Sequence, residues 1–335
     1  MIRTRFKDPR VLLLGGAVLS LSFALAAPKI GAAGHSYDLV AAVDITGSMN
    51  TRDYFFNGKP VSRLEFAKLA LRDLIKTLPC QSRLGLAIFT ERRSFLLFEP
   101  IGICDDFAPL DAAIDSLDWR MAWQGDSHIS AGLFHAIRIA RDLNSDLLFF
   151  TDGHEAPPLP WSGGPPFEGR RGEVAGLIIG TGGYALSPIP KFDDLGNGIG
   201  FYSAEDVPHE NRFGLPPPGA ENREGYNPRN APFGSIAASG TEHLSSVREP
   251  YLKELANITG LTYYHLDKPS GLAPAVSAVA TPRRRAGMVE LTPWFIMSAL
   301  ACLFLLYAVM PLIEGLSSHR ERRLLDRSIP RRRVP

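Results

Sequence analysis

Cysteine is scarce in this 335-residue chain: only Cys80, Cys104 and Cys302 occur. That is too few for a disulfide-built scaffold or a four-thiolate zinc centre. An excess of one charge is missing too, since 36 Lys and Arg face 35 Asp and Glu. Nothing in that balance argues for a nucleic-acid surface. Familiar catalytic signatures are also absent, with no Gly-x-Ser-x-Gly elbow, Walker A loop or His-Glu-x-x-His pair in the sequence. No internal repeat occurs. A length of this kind leaves room for one sizeable α/β domain plus membrane segments.

Long apolar runs, by contrast, are present. Leu291 to Ile313 carries no charge, and at about 1.5 Å per residue a helix of that length crosses the roughly 30 Å hydrocarbon core. A buried globular helix would keep one polar stripe, which argues against that alternative. Val11 to Ala27 follows Arg3, Arg5, Lys7 and Arg10 and suits a signal peptide or a short anchor. Ala24-Leu25-Ala26 offers a small-x-small cleavage site with Pro28 close behind, so both alternatives stay open for residues 1–36. The tail at 314–335 holds Arg320, Arg322, Arg323, Arg327 and Arg331 to Arg333, and the positive-inside rule keeps it in the cytoplasm. Arg283 to Arg285 oppose this from the other flank but are fewer. The intervening domain is expected outside the cytoplasm, facing the periplasm from the inner membrane if the host is a Gram-negative bacterium.

Between these segments, over 37–280, strand and helix patterns alternate. Tyr37 to Val43, Asp146 to Phe150 and Val174 to Ile179 are short apolar runs of the kind buried on both faces of a sheet. Ser62-Arg63-Leu64-Glu65 reads as a capping box opening a helix to Leu78. Arg83 to Thr90 and Ser94 to Glu99 read as a hairpin; Phe107 to Leu117, Ile129 to Leu143 and Tyr251 to Thr259 as helices; Leu261 to Leu266 as a closing strand. The alternation predicts a doubly wound, mainly parallel α/β sheet with helices on both faces. Tyr184 to about Val247 breaks the rhythm, with Pro216 to Gly219 reading PPPG, and is expected to be an irregular insertion. Cys80 and Cys104 flank the hairpin and are expected to form a disulfide, the alternative being two buried free thiols.

Chemistry concentrates at Asp44-Ile45-Thr46-Gly47-Ser48, directly after the first strand. Ligands of open α/β sheets collect at the carboxyl ends of the strands, where a carboxylate and two hydroxyls at alternate positions converge. Ser127, before a helix, and Asp152, at the end of DLLFFTDG, add a hydroxyl and a second carboxylate at the same edge. An all-oxygen set suits a hard cation: Mg²⁺ foremost, Mn²⁺ or Ca²⁺ otherwise. The bland alternative is that Asp44, Thr46 and Ser48 only cap a helix and shape a turn. His128 and His154 read as rim or hydrogen-bonding residues rather than ligands, Glu155 as a solvated loop residue, and Trp119 and Trp123 as packing residues near the surface.

These five elements, in this order, resemble the metal-ion-dependent adhesion site of von Willebrand factor A (VWA) domains, which reads Asp-x-Ser-x-Ser, then Thr, then Asp. Thr46 stands where Ser is usual and Ser127 where Thr is usual, and both keep the hydroxyl. The resemblance implies metal ligands Asp44, Thr46, Ser48, Ser127 and Asp152, with one coordination position left for an acidic side chain of a partner protein. It implies adhesion rather than enzymatic turnover. The runs SRLEFAKLALRDLIKTLPC, FTERRSFLLFEP and LDWRMAWQGDSHI are further similar to the Mxa-type membrane VWA accessory proteins of bacterial methanol oxidation. That likeness implies an assembly factor for a periplasmic methanol dehydrogenase and its calcium, with a MoxR-type ATPase as cytoplasmic companion. The rival readings are a VWA scaffold of the aerotolerance or stress type and, further off, a metal-dependent hydrolase. Against the hydrolase, phosphatases that use a first Asp as nucleophile place a second two residues on, and Thr46 stands there.

Overall fold

The computed structural model describes residues 8–26, 29–122, 126–156, 159, 164–193, 195–204, 206 and 241–313. The basic tail, the first basic residues, Trp123 and most of the 184–247 insertion, PPPG included, lie outside the described residues. Two units are distinguished: Gly34–Arg285, and a second made of Met1–Ala33 with Ala286–Pro335.

The chain begins with α1 (Pro9–Leu25) and β1 (Lys29–Ser36), followed by β2 (Asp38–Asp44), in which every residue is buried. A small hairpin, β3 (Tyr54–Phe56) and β4 (Lys59–Val61), turns through Asn57 and Gly58, both at positive φ. Helix α2 (Arg63–Thr77) leads to the β5 (Arg83–Thr90) and β6 (Arg93–Gly102) pair. Then come α3 (Phe107–Asp115), α4 (Ile129–Asp142), β7 (Asp146–Thr151) and β8 (Gly176–Gly180). The described ends of the insertion are not irregular. They form short antiparallel ladders, β9 (Ser187–Pro188) with β12 (Leu244–Ser245) and β10 (Pro190–Phe192) with β11 (Gly198–Phe201). Helix α5 (Glu249–Thr259), β13 (Thr262–His265) and α6 (Leu272–Val279) complete the first unit, and β14 (Arg283–Glu290), which pairs with β1, carries the chain past its end at Arg285.

The central sheet runs β13-β8-β7-β2-β5-β6, parallel throughout except for β6. Its apolar faces are covered on both sides, as the continuous apolar strands require. Leu64, Leu71 and Leu74 of α2 join Leu110 of α3 and Val276 of α6 in one cluster, while Ile129, Leu133 and Ile137 of α4 join Leu252 and Leu255 of α5 in the other. Helix α4 lies so close to the sheet that a Cβ on Gly132 would sit 2.0 Å from the Phe89 ring. At Gly176 the backbone adopts φ 139°, and a Cβ there would meet the Leu147 carbonyl at 1.9 Å. The expected capping box is half made. Ser62 Oγ accepts from Glu65 N (3.1 Å), but the Glu65 carboxylate takes Lys68 Nζ at 2.8 Å instead of reaching back.

Order reverses between β2 and β7: the chain leaves β2 for β5 on one side and returns to β7 on the other. Such a switch point opens a crevice at the carboxyl ends of the strands. Cys80 and Cys104 form a disulfide across the base of β5 and β6, with Cα atoms 5.0 Å apart. In the second unit, α7 (Thr292–Ile313) is long and apolar enough to cross a membrane, and passes through a π-helical turn at Leu305–Val309. Within that unit α1 packs along α7, with Ser20 Oγ 3.2 Å from Ser298 Oγ and the Phe23 and Phe295 rings 5.4 Å apart.

Candidate metal centre

Asp44 closes β2 and is wholly buried. Its Oδ1 accepts from the backbone N (2.9 Å) and Oγ1 (2.7 Å) of Thr46, and its Oδ2 accepts from Thr151 Oγ1 at 2.7 Å. Asp152, just past β7, is equally buried. Its Oδ1 accepts from His154 N at 2.9 Å. Its Oδ2 does not stand free, as a ligand-only reading of the sequence would have it: it takes Arg63 Nη1 at 2.5 Å and Ser245 Oγ at 3.1 Å.

Arg63 is the residue that reading the sequence missed. Its side chain is 0% exposed and bridges two carboxylates, gripping Asp53 through Nε (3.0 Å) and Nη2 (2.6 Å) while Nη1 holds Asp152. Ser245 completes the cage through its hydroxyl (2.7 Å) and carbonyl (3.2 Å), and Gly183 N donates to Asp53 at 2.8 Å. A signal did exist. Arg63 opens α2, where a positive charge opposes the helix dipole, so its presence there asks for a carboxylate partner.

Burial raises the Asp44 carboxyl, and the negative charge of Asp152 raises it further, to about 7. Burial pushes Asp152 the same way, but the Arg63 guanidinium outweighs it and holds Asp152 below the usual carboxylate range. Two neighbouring carboxyls are thus driven apart, one kept charged by an internal cation and the other short of one. Asp44, Asp53 and Asp152 together outnumber the positive charge that Arg63 supplies.

Of the candidate ligand hydroxyls, two make no well-formed hydrogen bond among the described residues. Ser48 Oγ lies against Asp152 but makes no hydrogen bond of good geometry, and Ser127 Oγ is buried and unpaired. Each such orphan costs about 1–3 kcal/mol unless something fills the site. Ser127 sits between Glu91 and Ala156, exchanging backbone bonds with Ala156 (2.7 and 2.8 Å). The structure therefore brings Asp44, Thr46, Ser48 and Asp152 into direct association. Ser127 is set on the adjoining loop, and among the described residues no hydrogen bond ties it to the other four. Also among the described residues, no three His, Cys, Asp or Glu side chains converge on a metal-sized point, so any cation here relies on hydroxyls. The donor set fits a hard cation: two carboxylates, two orphaned hydroxyls and the Thr46 hydroxyl, all oxygen.

The flanking residues fall differently from expectation in one case. Glu155 is no solvated loop residue: its Oε1 accepts from Ser130 N at 3.1 Å, at the start of α4, and from the Tyr251 hydroxyl, and burial raises its pKa. His128 precedes α4 with Nε2 3.9 Å from Asp126, His154 is buried beside Asp152, and Trp119 stacks on Phe192 at 4.7 Å.

Residues 39–154, about a third of the chain, match the model of the von Willebrand factor type A domain. That stretch spans β2 through Asp152 and includes all five candidate ligands. No curated protein matches the chain. Among solved structures, an aerotolerance-related membrane protein from Bacteroides fragilis is 16% identical, with a TM-score of 0.43 over 72% of this chain and 98% of its own. BatB from Bacteroides thetaiotaomicron is 17% identical, with a TM-score of 0.45 over 72% and 96%. A von Willebrand factor type A protein from Catenulispora acidiphila is 12% identical, with a TM-score of 0.36 over 82% and 46%. None of these likenesses bears on partner or role.

Proposed function

Because residues 39–154 match the von Willebrand factor type A model, we propose that Asp44, Thr46, Ser48, Ser127 and Asp152 hold one divalent cation and, through it, an acidic side chain of a partner protein. The observation that carries this reading is the pair of wholly buried carboxyls, Asp44 and Asp152, with the hydroxyls of Ser48 and Ser127 buried and without a well-formed hydrogen bond among the described residues. When bound, the cation supplies the positive charge that lets Asp44 ionise and a partner carboxylate approach. The chain's own residues prepare the place. Thr46 and Thr151 fix both oxygens of Asp44, while Arg63 keeps Asp152 charged and immobile. Nothing in this arrangement requires a bond to be broken, and the reading is of adhesion, not catalysis.

The membrane reading rests on Thr292–Ile313, which carries no charge and is hardly buried. Orientation with the domain in the periplasm and the basic tail in the cytoplasm gains support from Arg283 and Arg285. Both pair with Asp38, at 3.3 and 2.8 Å, so these two charges serve the domain rather than stand free at the membrane flank. Likeness of the sequence to Mxa-type accessory proteins makes a methanol dehydrogenase the first partner to test, and a MoxR-type ATPase the first companion of the tail.

Affinity capture of the detergent-solubilised chain from its host, grown with and without methanol, tests both levels. Dehydrogenase subunits recovered with Mg²⁺ and lost with chelator support the assembly role. Recovery of other membrane VWA proteins alone moves the reading to a stress-type scaffold. Capture indifferent to chelator contradicts metal-held adhesion itself.

A further inference from the structure

We propose that a cleft beside the metal edge binds an extended, acidic segment of a partner protein through converging arginines. The cleft measures about 580 Å³, and Arg92, Arg93, Arg138 and Arg141 face it together with Phe134 and Phe167. Phe134, Arg138 and Arg141 stand at successive four- and three-residue steps along α4, hence on one face of that helix. Arg92 and Arg93 come from the turn into β6 and meet that face from the other side. Glu168 and Glu173 also line the cleft, so four arginines stand against two glutamates in its lining.

Like charges gathered in one concavity repel, and the walls focus their field outward. Arg72, by comparison with Arg138, is met by two carboxylates, Asp111 (2.7 Å) and Asp115 (3.2 Å). Here the only ion pair formed by an α4 arginine is the exposed contact of Arg141 with its neighbour Asp142, among the described residues. The field is felt locally: His135, whose Nδ1 lies 2.8 Å from the Ser94 carbonyl, is lowered by burial and further by the charges of Arg138 and Arg93. Guanidinium forks match carboxylates in pairs. A cleft of this volume suits several side chains rather than one small anion, and its aromatic and proline walls, Phe134, Phe167, Pro165 and Pro166, offer apolar contact between the acids.

Position connects the cleft to the metal edge without depending on it. Arg92 follows Glu91, whose carbonyl accepts from His128 N at 2.7 Å and which bridges to Ser127. A strand of partner leaving the cleft along that turn therefore arrives at the loop that carries Ser127.

The test uses the full chain in uncharged detergent with chelator present, so that only the cleft is read. A fluorescent peptide of alternating aspartate and glutamate around one tryptophan is titrated by anisotropy. Saturable binding that weakens as salt rises is expected. Arg93→Glu with Arg138→Glu should lower affinity about tenfold or more, and Arg138→Gln alone about threefold, each with an unchanged circular dichroism spectrum. Adding Mg²⁺ should leave the effect of the arginine variants unchanged. Failure of the folded wild-type chain to bind the peptide overturns the proposal, as does equal binding by folded Arg138→Gln. Complete displacement by inorganic phosphate at equal concentration would mark a small-anion site and overturn it too.

Discussion

Replacing Arg63 by Met removes the internal cation while keeping much of the side chain's length and apolar stem. Asp152, fully buried, would then face Asp44 with no guanidinium beside it, and Asp53, 9% exposed at its side chain, would lose its ion pair as well. Breaking a buried ion pair from one side leaves an uncompensated charge and costs about 3–5 kcal/mol. Set against a typical stability of about 5–15 kcal/mol, that loss brings the metal-free domain to the edge of unfolding. Urea denaturation of the full chain in mild detergent, followed by near-ultraviolet circular dichroism with chelator present, measures it. Two companions separate the causes. Asp152→Asn added to the Arg63→Met background should return part of the loss, because the stranded charge is gone. Mg²⁺ should rescue Arg63→Met by more than it raises wild type, since stabilisation by a bound ligand grows with the logarithm of its affinity and the variant lacks the competing cation. A metal-free loss below about 1 kcal/mol for Arg63→Met would refute the account of Arg63 as the site's resident counter-charge.

Asp44→Asn should behave in the opposite sense. Because the Asp44 carboxyl rises from 3.8 to about 7 on folding, its contribution is fully present below pH 3.8 and is lost as pH climbs through about 7. The metal-free wild-type chain should therefore lose on the order of 2–4 kcal/mol between pH 4 and pH 8. Asp44→Asn should flatten that slope and be the more stable protein at pH 8, readable from urea midpoints across pH. Gly176→Ala should destabilise strongly, by about 2 kcal/mol or more, because its φ of 139° and the Leu147 carbonyl leave no room for a Cβ; a thermal melt checks this. Leu300→Arg with Leu305→Arg, both exposed apolar positions of α7, costs about 2.5–3.5 kcal/mol per charge at mid-membrane. It should shift the chain from the carbonate-resistant membrane fraction toward the soluble one.

Much of the sheet was legible because strands buried on both faces leave unbroken apolar runs. β2, β7 and β8 fall within one or two residues of Tyr37 to Val43, Asp146 to Phe150 and Val174 to Ile179. Asp44, Thr46, Ser48 and Asp152 were legible for a related reason: polar residues that end such runs face the crevice. The β3–β4 hairpin escaped notice although Asn57-Gly58 is a strong turn signal, since strands of three residues are too short to show alternation. Helix α6 was hidden by Pro274, which is tolerated only because it lies in the first turn. What no local pattern could reveal is the cage around Arg63. Its partners Asp152 and Ser245 lie 89 and 182 residues away along the chain, and only the folded sheet edge makes them neighbours. Glu155 was misread for the same reason, its partner Tyr251 being 96 residues distant.

The central claim is most directly tested by electron paramagnetic resonance of Mn²⁺ titrated into the full chain. One bound Mn²⁺ per chain is predicted, displaced by Mg²⁺ and lost in Asp44→Asn and in the Ser48→Ala, Ser127→Ala double variant. Mn²⁺ that stays wholly free, or that binds those variants as it binds wild type, would contradict it.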